Sequence, residues 1–526
     1  MDTKALRKKV LDLAIRGKLV PQDPSDEPAD LLLERVRQQK QQLVKDGKLK
    51  AKDIKNDTII FVGEDNLHYE KFADGSVKCI EDEIPFDLPD GWSWERLSNL
   101  AAFSGGKTPS TSRREYWDGE VLWVTSKDMK TKYITSSQLR LSTLGAEQMQ
   151  VYQPNTLLLV TRSGILRHTL PVAILKKPAT VNQDLKAIVL YMPELAEYIY
   201  VCLKGMEAQL LLKYTKSGTT VENVNFDEFQ KVLLPIAPLQ EVGKIVAATN
   251  EAGRVVSSIE DDKSALAEYV SRAKAKILDL AIRGQLVLQD PADEPASVLL
   301  ERIRAEKEEL IKQGKIKRDK KESVIFRGED NSYYEKMPDG KLRCLDDELP
   351  FELPNGWEWC NLSMIGSTNI GLTYRPTDIT LNGVIVLRSC NIVNDQVDLN
   401  DLVRVDTTIR ENQFAQENDI LICARNGSRA LVGKCALIPP LEEPMSFGAF
   451  MAIYRTEYYP YIVHYLRSAF FRSVFDDGNS TTINQLTQDM LKRAVVPFPP
   501  LAEQSRIVAA IEAALYELNR IEKSLS

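Results

Sequence analysis

Residues 11–20, LDLAIRGKLV, recur at 278–287 as LDLAIRGQLV. The match continues through QDPSDEPADLLLERVR (22–37) and QDPADEPASVLLERIR (289–304), and through GEDN at 63–66 and 328–331. It then takes in IPFDLPDGWSWERL (84–97) against LPFELPNGWEWCNL (349–362), the offset falling from 267 to 265 residues. A second pair, SGTTVENVNFDEFQKVLLPIAPLQEVGKIVAA (217–248) and NSTTINQLTQDMLKRAVVPFPPLAEQSRIVAA (479–510), is offset by 262. A repeat on this scale constrains the fold more than any other feature, because both copies must build one frame. Between the shared blocks, residues 98–216 and 363–478 barely resemble each other, so the layout is shared, variable, shared, variable, shared.

From Glu241 to Arg283 there is no proline. Positions 242, 245, 249, 252, 256, 259, 263, 266, 270, 273, 277 and 280 hold Val, Ile, Thr, Ala, Val, Ile, Lys, Leu, Val, Ala, Ile and Leu. Steps of three and four with a mostly apolar seam predict a coiled-coil helix over 240–284, roughly 65 Å long at ~1.5 Å per residue. Its counterpart is split between the chain ends: Ile507, Ile511, Ala514, Leu518, Ile521 and Leu525, then Thr3, Leu6, Val10 and Leu13. By the two offsets Ser526 corresponds to position 264 and Met1 to position 268. The chain therefore reads as a circularly permuted two-fold repeat whose termini meet and complete a second helix, antiparallel to the first.

The expected fold class is α+β: two mixed α/β modules joined by a long antiparallel two-helix coiled-coil spacer, pseudo-two-fold with circularly permuted halves. The expected segments are a conserved N-terminal region (1–97), a first variable module (98–237), a central conserved region (238–362), a second variable module (363–499) and a C-terminal conserved region (500–526). VLWVTSKD (121–128) and TLLLVTRSG (156–164) read as strands of the first module, GVIVLRSCNI (383–392) and DILICARNG (419–427) as strands of the second. Each module is entered through Pro-Phe-x-Leu-Pro-x-Gly-Trp-x-Trp, whose prolines extend the chain and whose tryptophans are expected to bury. Each is left through a proline-rich turn (Pro235/Pro238 and Pro497/Pro500) that starts a long helix.

Chemistry-bearing residues are sparse. Three histidines, His68, His168 and His464, lie far apart in sequence, a poor inventory for acid–base or metal chemistry. Seven cysteines form no Cys-x-x-Cys pair and read as reduced thiols of a cytoplasmic protein. No membrane span and no signal peptide are expected, since nothing approaches 18 consecutive apolar residues. DGK (339–341) has DGS (74–76) as its repeat partner, so both read as Asp-Gly hairpin turns rather than as nuclease residues.

Charge is uneven within a net −7. Residues 104–190 carry 12 Lys/Arg against 6 Asp/Glu, whereas the arm at 21–95 carries 10 against 18. A basic module in an acidic protein favours a polyanion partner. Side chains suited to phosphates and base edges are Lys107, Thr108, Ser110, Arg113, Arg114, Lys127, Arg162 and Arg167 in the first module. The second offers Thr373, Tyr374, Arg375, Arg388, Asn391, Arg425, Asn426, Ser428 and Arg429. Two diverged modules on one rigid spacer suit a bipartite target; a coiled-coil scaffold for protein partners is the competing reading. The GGKT at 105–108 is not a nucleotide-binding loop: Ala101 replaces the leading glycine, and the repeat aligns Gly106 with Gly371 and Thr108 with Thr373 but Lys107 with Leu372.

On these residues the chain resembles the specificity subunits of type I restriction–modification systems over essentially its whole length. GGKTPS with YWDGEVLWVTSKDM (116–129), NDILICARNGSRALVGKCALI with SFGAFMAIYR (418–438, 446–455), and the LLPIAPLQEVGKIV and VPFPPLAEQSRIV blocks carry the resemblance. It implies a non-catalytic subunit that binds double-stranded DNA, each variable module acting as a target-recognition domain for half of a gapped site. It further implies two modification subunits that methylate adenine with S-adenosylmethionine, and two restriction subunits using ATP and Mg. No cofactor is expected on this chain itself. The acidic arms at 21–95 and 288–360 suit either partner docking or solvation.

Overall fold

Across most of the shared blocks, the described elements and several of their contacts recur in both copies. In the computed structural model, which describes all residues except 1, 52–53, 217–220, 319–322, 338, 474–484 and 526, the chain divides into two compact units, Met1–Asp262 and Lys263–Ser526. In the first unit, helix α1 (Thr3–Ile15) leads into an arm built on α2 (Ala29–Lys45) and an antiparallel three-stranded sheet (59–62, 68–71, 77–79). The variable module follows, with α3 (Ala196–Gly205), and then the first part of α4 (Leu239–Ile282). The second unit repeats this order with the remainder of α4, an arm on α5 (Ala296–Lys312), the second module with α6 (Tyr459–Arg467), and α7 (Leu501–Leu525). Helix α4 begins just after Pro238 and runs to Ile282; Gly284 beyond it takes φ +64°, the left-handed conformation that stops helices. The expected span of 240–284 is thus met to within two residues at either end.

The contacts at equivalent positions are the same. Trp92 Nε1 donates to Glu241 Oε2 at 3.0 Å, and Trp357 Nε1 to Glu503 Oε2 at 3.0 Å. The Tyr198 hydroxyl donates to the carbonyl of Pro235 at 2.9 Å, and that of Tyr461 to Pro497 at 2.8 Å. Within the first unit Arg7 pairs with Glu260 at 3.1 Å, and within the second Lys274 pairs with Glu522 at 2.5 Å. Trp92 and Trp357 lie against the glycines that end their helices, Gly17 and Gly284. In each unit, therefore, the start of one helix lies beside the end of the other, an antiparallel pairing. The seam is not uniformly dry: Val242, Ile245, Val256 and Val270 are buried, but Leu266 is 42% exposed. The expected junction of the termini, at Met1 and Ser526, lies outside the described residues.

The tryptophan segments bury as expected, Trp94 and Trp359 almost completely. Ser93–Arg96 pairs antiparallel with Leu233–Ile236, and Glu358–Asn361 with Val495–Phe498, so each module's incoming and outgoing chains form one ladder. Both Asp-Gly turns are hairpins: Gly75 and Gly340 have φ +87° and +83°, and Asp74 and Asp339 accept from the backbone N–H two residues on.

One buried carboxyl is absent from the equivalent position of the second unit. Glu95, at the repeat position of Cys360, is buried, accepting from Asn99 Nδ2 at 2.7 Å and from the Arg96 N–H at 2.8 Å. Arg37 stands 3.7 Å away, and nearby Lys40 is held by Asp57 at 2.6 Å. Burial outweighs these partners and pushes the Glu95 carboxyl up to about 7. A carboxyl whose folded pKa is raised contributes its full stability below its unfolded pKa and loses it as pH rises through the folded one. Glu95→Gln keeps the acceptor oxygen and removes the titration. Its advantage in thermal unfolding over the wild type should therefore widen between pH 5 and pH 8, to at most about 3 kcal/mol; a pH-independent difference would contradict the assignment.

Candidate functional site

The variable modules share one topology despite their divergent sequences. In the first, strands β1 (Ala101–Gly105), β2 (Trp117–Val124), β3 (Leu157–Val160), β4 (Val172–Leu175), β5 (Ala179–Val181) and β6 (Leu185–Leu190) form two sheets. One runs β1-β6-β3-β4 and ends on Tyr133–Ile134; the other places β2 between β5 and Leu139–Leu141. In the second module the same roles fall to β7 (Ser367–Ile370), β8 (Ile379–Leu387), β9 (Ile420–Cys423), β10 (Cys435–Leu437), β11 (Met445–Phe447) and β12 (Met451–Arg455). Leu158 and Val160 in β3, and Leu421 and Cys423 in β9, are buried in the apolar core between the strands.

Strand directions bring the C-terminal ends of β1, β2, β3 and β5 to one edge, since β5 is parallel to β2 and β6 is antiparallel to both β1 and β3. Backbone hydrogen bonds staple the loops there. The Lys107 N–H donates to the Val181 carbonyl at 3.1 Å, and that of Asn182 to Val124 at 3.0 Å. In the second module the equivalents are Leu372 to Phe447 at 2.6 Å and Gly448 to Leu387 at 2.9 Å. The alignment of Gly106 with Gly371 is therefore structural, and its cause is space. A Cβ on Gly106 would lie 2.1 Å from the Val181 carbonyl oxygen, and one on Gly371 would lie 2.2 Å from that of Phe447.

Lys107, Thr108, Ser110, Arg114 and Lys127 project from these loops and are exposed. Thr108 is hydrogen-bonded to Gln183, and Arg113 is drawn onto Tyr116, donating to its hydroxyl at 2.8 Å. The turn presenting Lys127 is closed by Asp128, whose Oδ2 accepts from the Thr125 N–H at 2.8 Å. In the second module Thr373, Arg375, Arg425, Ser428 and Arg429 are exposed, whereas Tyr374 packs against a small cluster of Leu372, Val386 and Val405. Asn426 Oδ1 accepts from the Ser428 N–H at 3.0 Å, shaping that loop.

One expected contact is spent on the protein and two are ion-paired. Asn391 is buried: its oxygen accepts from the Arg388 N–H at 2.9 Å, and its amide donates to the carbonyls of Asp398 and Asp401. It is the turn-closing counterpart of Asp128 and has no group to offer a ligand. Arg167 is paired with buried Glu222 at 2.9 Å, its own side chain remaining exposed. Arg388 pairs with exposed Asp401 at 2.9 Å, leaving it partly neutralised at the edge.

Arg162 and Arg425 turn out to be one position. The residue before each, Thr161 or Ala424, donates its N–H across to the β5–β6 or β11–β12 turn, to Asp184 or Phe450, at 2.9 Å in both modules. Each arginine also forms an isolated bridge with a shared-block residue, Arg162 with Asn223 and Arg425 with Gln485. The signal was present as an apolar run ending in x-Arg-x-Gly, LLLVTRSG and ILICARNG. Gln183, Asp184 and Phe450 carry no sequence signal, because they reach the edge only through turn geometry. Arg410, Asn412 and Gln413 line a polar cleft of about 600 Å³ beside Gly371 and Thr373 and were likewise not anticipated.

Among the described residues no group of three or more His, Cys, Asp or Glu could hold a metal. Burial pushes the His464 ring down to about 4, so it is neutral at ordinary pH. Four of the seven cysteines, Cys202, Cys360, Cys423 and Cys435, are buried; Cys79, Cys344 and Cys390 are exposed. The edge therefore presents long cationic and amide side chains on stapled loops, suited to binding a polyanion.

Residues 89–264 match the family model described as type I restriction modification DNA specificity domain. The chain is 26% identical to the EcoAI specificity subunit of Escherichia coli, over 99% of this chain and 90% of that protein. It is 25% identical to the Escherichia coli EcoEI specificity subunit, over 97% and 88%. A solved structure from work on "complex assembly and conformational transition of the type I R-M system" shares the fold, with a TM-score of 0.50 at 16% identity, over 84% of this chain and 94% of that one.

Proposed function

Because the chain belongs to the specificity subunits of type I restriction–modification systems, we propose that it is the non-catalytic DNA-reading subunit of such a complex, its two modules each reading one half of a gapped site. The observation that carries this reading is the pair of structurally equivalent edges, stapled alike and furnished with different side chains. Lys107, Lys127 and the paired Arg162 and Arg425 suit phosphates or guanine O6/N7, and Gln183 and Gln413 suit adenine N6/N7. The acidic arms repel a DNA backbone and so favour the modules as the binding surface.

Helix α4 with its antiparallel partners acts as the coiled-coil spacer that sets the gap, in a pseudo-two-fold arrangement, and the repeated regions around it dock two modification subunits. S-adenosylmethionine, ATP and Mg belong to the modification and restriction subunits. Among the described residues no helix is long and apolar enough to cross a membrane, and the site of action proposed is the cytoplasm, where the DNA is.

The test is to express the chain with its modification subunit and map methylated adenines across a genome. A bipartite motif with a fixed gap is expected. Exchanging residues 98–216 for another subunit's module should change one half of that motif only; a change in both halves or in neither would refute the modular reading. A protein scaffold would produce no motif, and its associations would lack the steep salt dependence of phosphate contacts.

A further inference from the structure

We infer that Asp184 and Phe450, which occupy one structural position in the two modules, are specificity-determining residues: Phe450 meets the C5-methyl group of a thymine in one half-site, and Asp184 accepts from the N4 amino group of a cytosine in the other. The inference rests on the DNA-reading function proposed above.

Their equivalence is set by the backbone. Asp184 and Phe450 each accept, through the carbonyl, the N–H of the residue preceding the edge arginine, at 2.9 Å in both modules. Phe450 also accepts from the Arg425 N–H at 3.0 Å. The turn is thus fixed while the side chain is free to differ. Each stands beside the same arginine, so both reach the same place relative to a bound duplex.

The side chains then decide the partner. Phe450 is 60% exposed, and the Arg425 guanidinium lies 5.5 Å from its ring centre. It borders a cleft of about 270 Å³ with an apolar wall of Ile370, Ala424, Ala449 and Leu486 and a polar one of Gln485, Thr487 and Gln488. The exposed Phe450 ring and the apolar wall beside it suit the thymine methyl, the one alkyl group among the base edges of the major groove. Asp184 carries the opposite chemistry. Asn182 Nδ2 donates to its Oδ2 at 3.2 Å, orienting the carboxylate. A carboxylate beside DNA is repelled by phosphate and favoured by a base donor, of which the cytosine amino group is the usual acidic-residue partner.

The experiment uses the complex with its modification subunit and the site defined by its methylation pattern. Each thymine of the site is replaced singly by deoxyuridine, which lacks only the methyl group. At one thymine of the half read by the second module, wild-type affinity should fall about fourfold, the worth of one buried methyl. Phe450→Ala should bind both duplexes equally, and Phe450→Leu should keep the preference. Asp184→Ala should relax one cytosine position in the other half of the methylation motif.

A half-site without thymine, tolerance of deoxyuridine at every position, or a Phe450→Ala protein still sensitive to the methyl would each overturn the Phe450 assignment. Equal loss of affinity by that variant for both duplexes would make Phe450 a wedge between base steps and overturn it too. An unaltered motif with Asp184→Ala would overturn the Asp184 assignment. Failure of the underlying function looks different: the wild-type complex would yield no bipartite motif at all.

Discussion

Gly106→Ala should abolish reading of one half-site and leave the other intact. The added Cβ would sit 2.1 Å from the Val181 carbonyl oxygen and 2.2 Å from that of Asn182, both of them backbone. Neither can retreat cheaply. Val181 O accepts the Lys107 N–H, and the Asn182 N–H is bonded to Val124. The loop bearing Lys107 and Thr108, or the turn bearing Gln183 and Asp184, must therefore lift off the edge. At about 2–4 kcal/mol of local strain, affinity for the intact site should fall by roughly 100-fold, about 2.7 kcal/mol. Gly371→Ala should do the same to the other half, and Gly164→Ala and Gly427→Ala, which meet nothing within 4 Å, serve as controls. Wild-type affinity in Gly106→Ala would mean that the stapled loop does not touch DNA.

Inserting four residues after Ser264 should widen the gap between half-sites and alter neither half. Ser264 is exposed and lies between the two within-unit ion pairs, Arg7–Glu260 and Lys274–Glu522, so neither is broken. Four residues add about 6 Å of helix and come close to one 3.6-residue turn, which keeps the outward faces in phase. At ~3.4 Å per base pair the methylation motif should gain one to two positions in its gap. An unchanged gap would remove the spacer role from helix α4.

What the sequence disclosed and what it hid have a common physical cause. The repeat, the long helix and the Asp-Gly hairpins were legible because they rest on local rules: periodicity, proline exclusion and turn chemistry. Gly106 and Gly371 were legible because the same close approach recurs at nearly constant offset. Arg162 and Arg425 were each identified but not paired, since their offset of 263 differs from the 265 of the neighbouring glycines. Asn391 was misread because its residue type suits adenine as well as it suits a turn, and only burial distinguishes the two. The ion pair of Arg167 was not legible because its partner, Glu222, is 55 residues away.

The ladder between each module's incoming and outgoing strands bears on how such a chain can change. Paired strands lie about 4.8 Å apart, so a module begins and ends at adjacent points on a frame already closed beneath it by Trp92 and Glu241, or by Trp357 and Glu503. Any insert whose two ends meet at that spacing can be mounted without disturbing what lies below. Drift within one module is thereby insulated from its own frame, and a single crossover in each shared flank can replace a whole module. The scaffold behaves as a pair of sockets, and on the function proposed above new target sequences would arise by exchange rather than by gradual redesign.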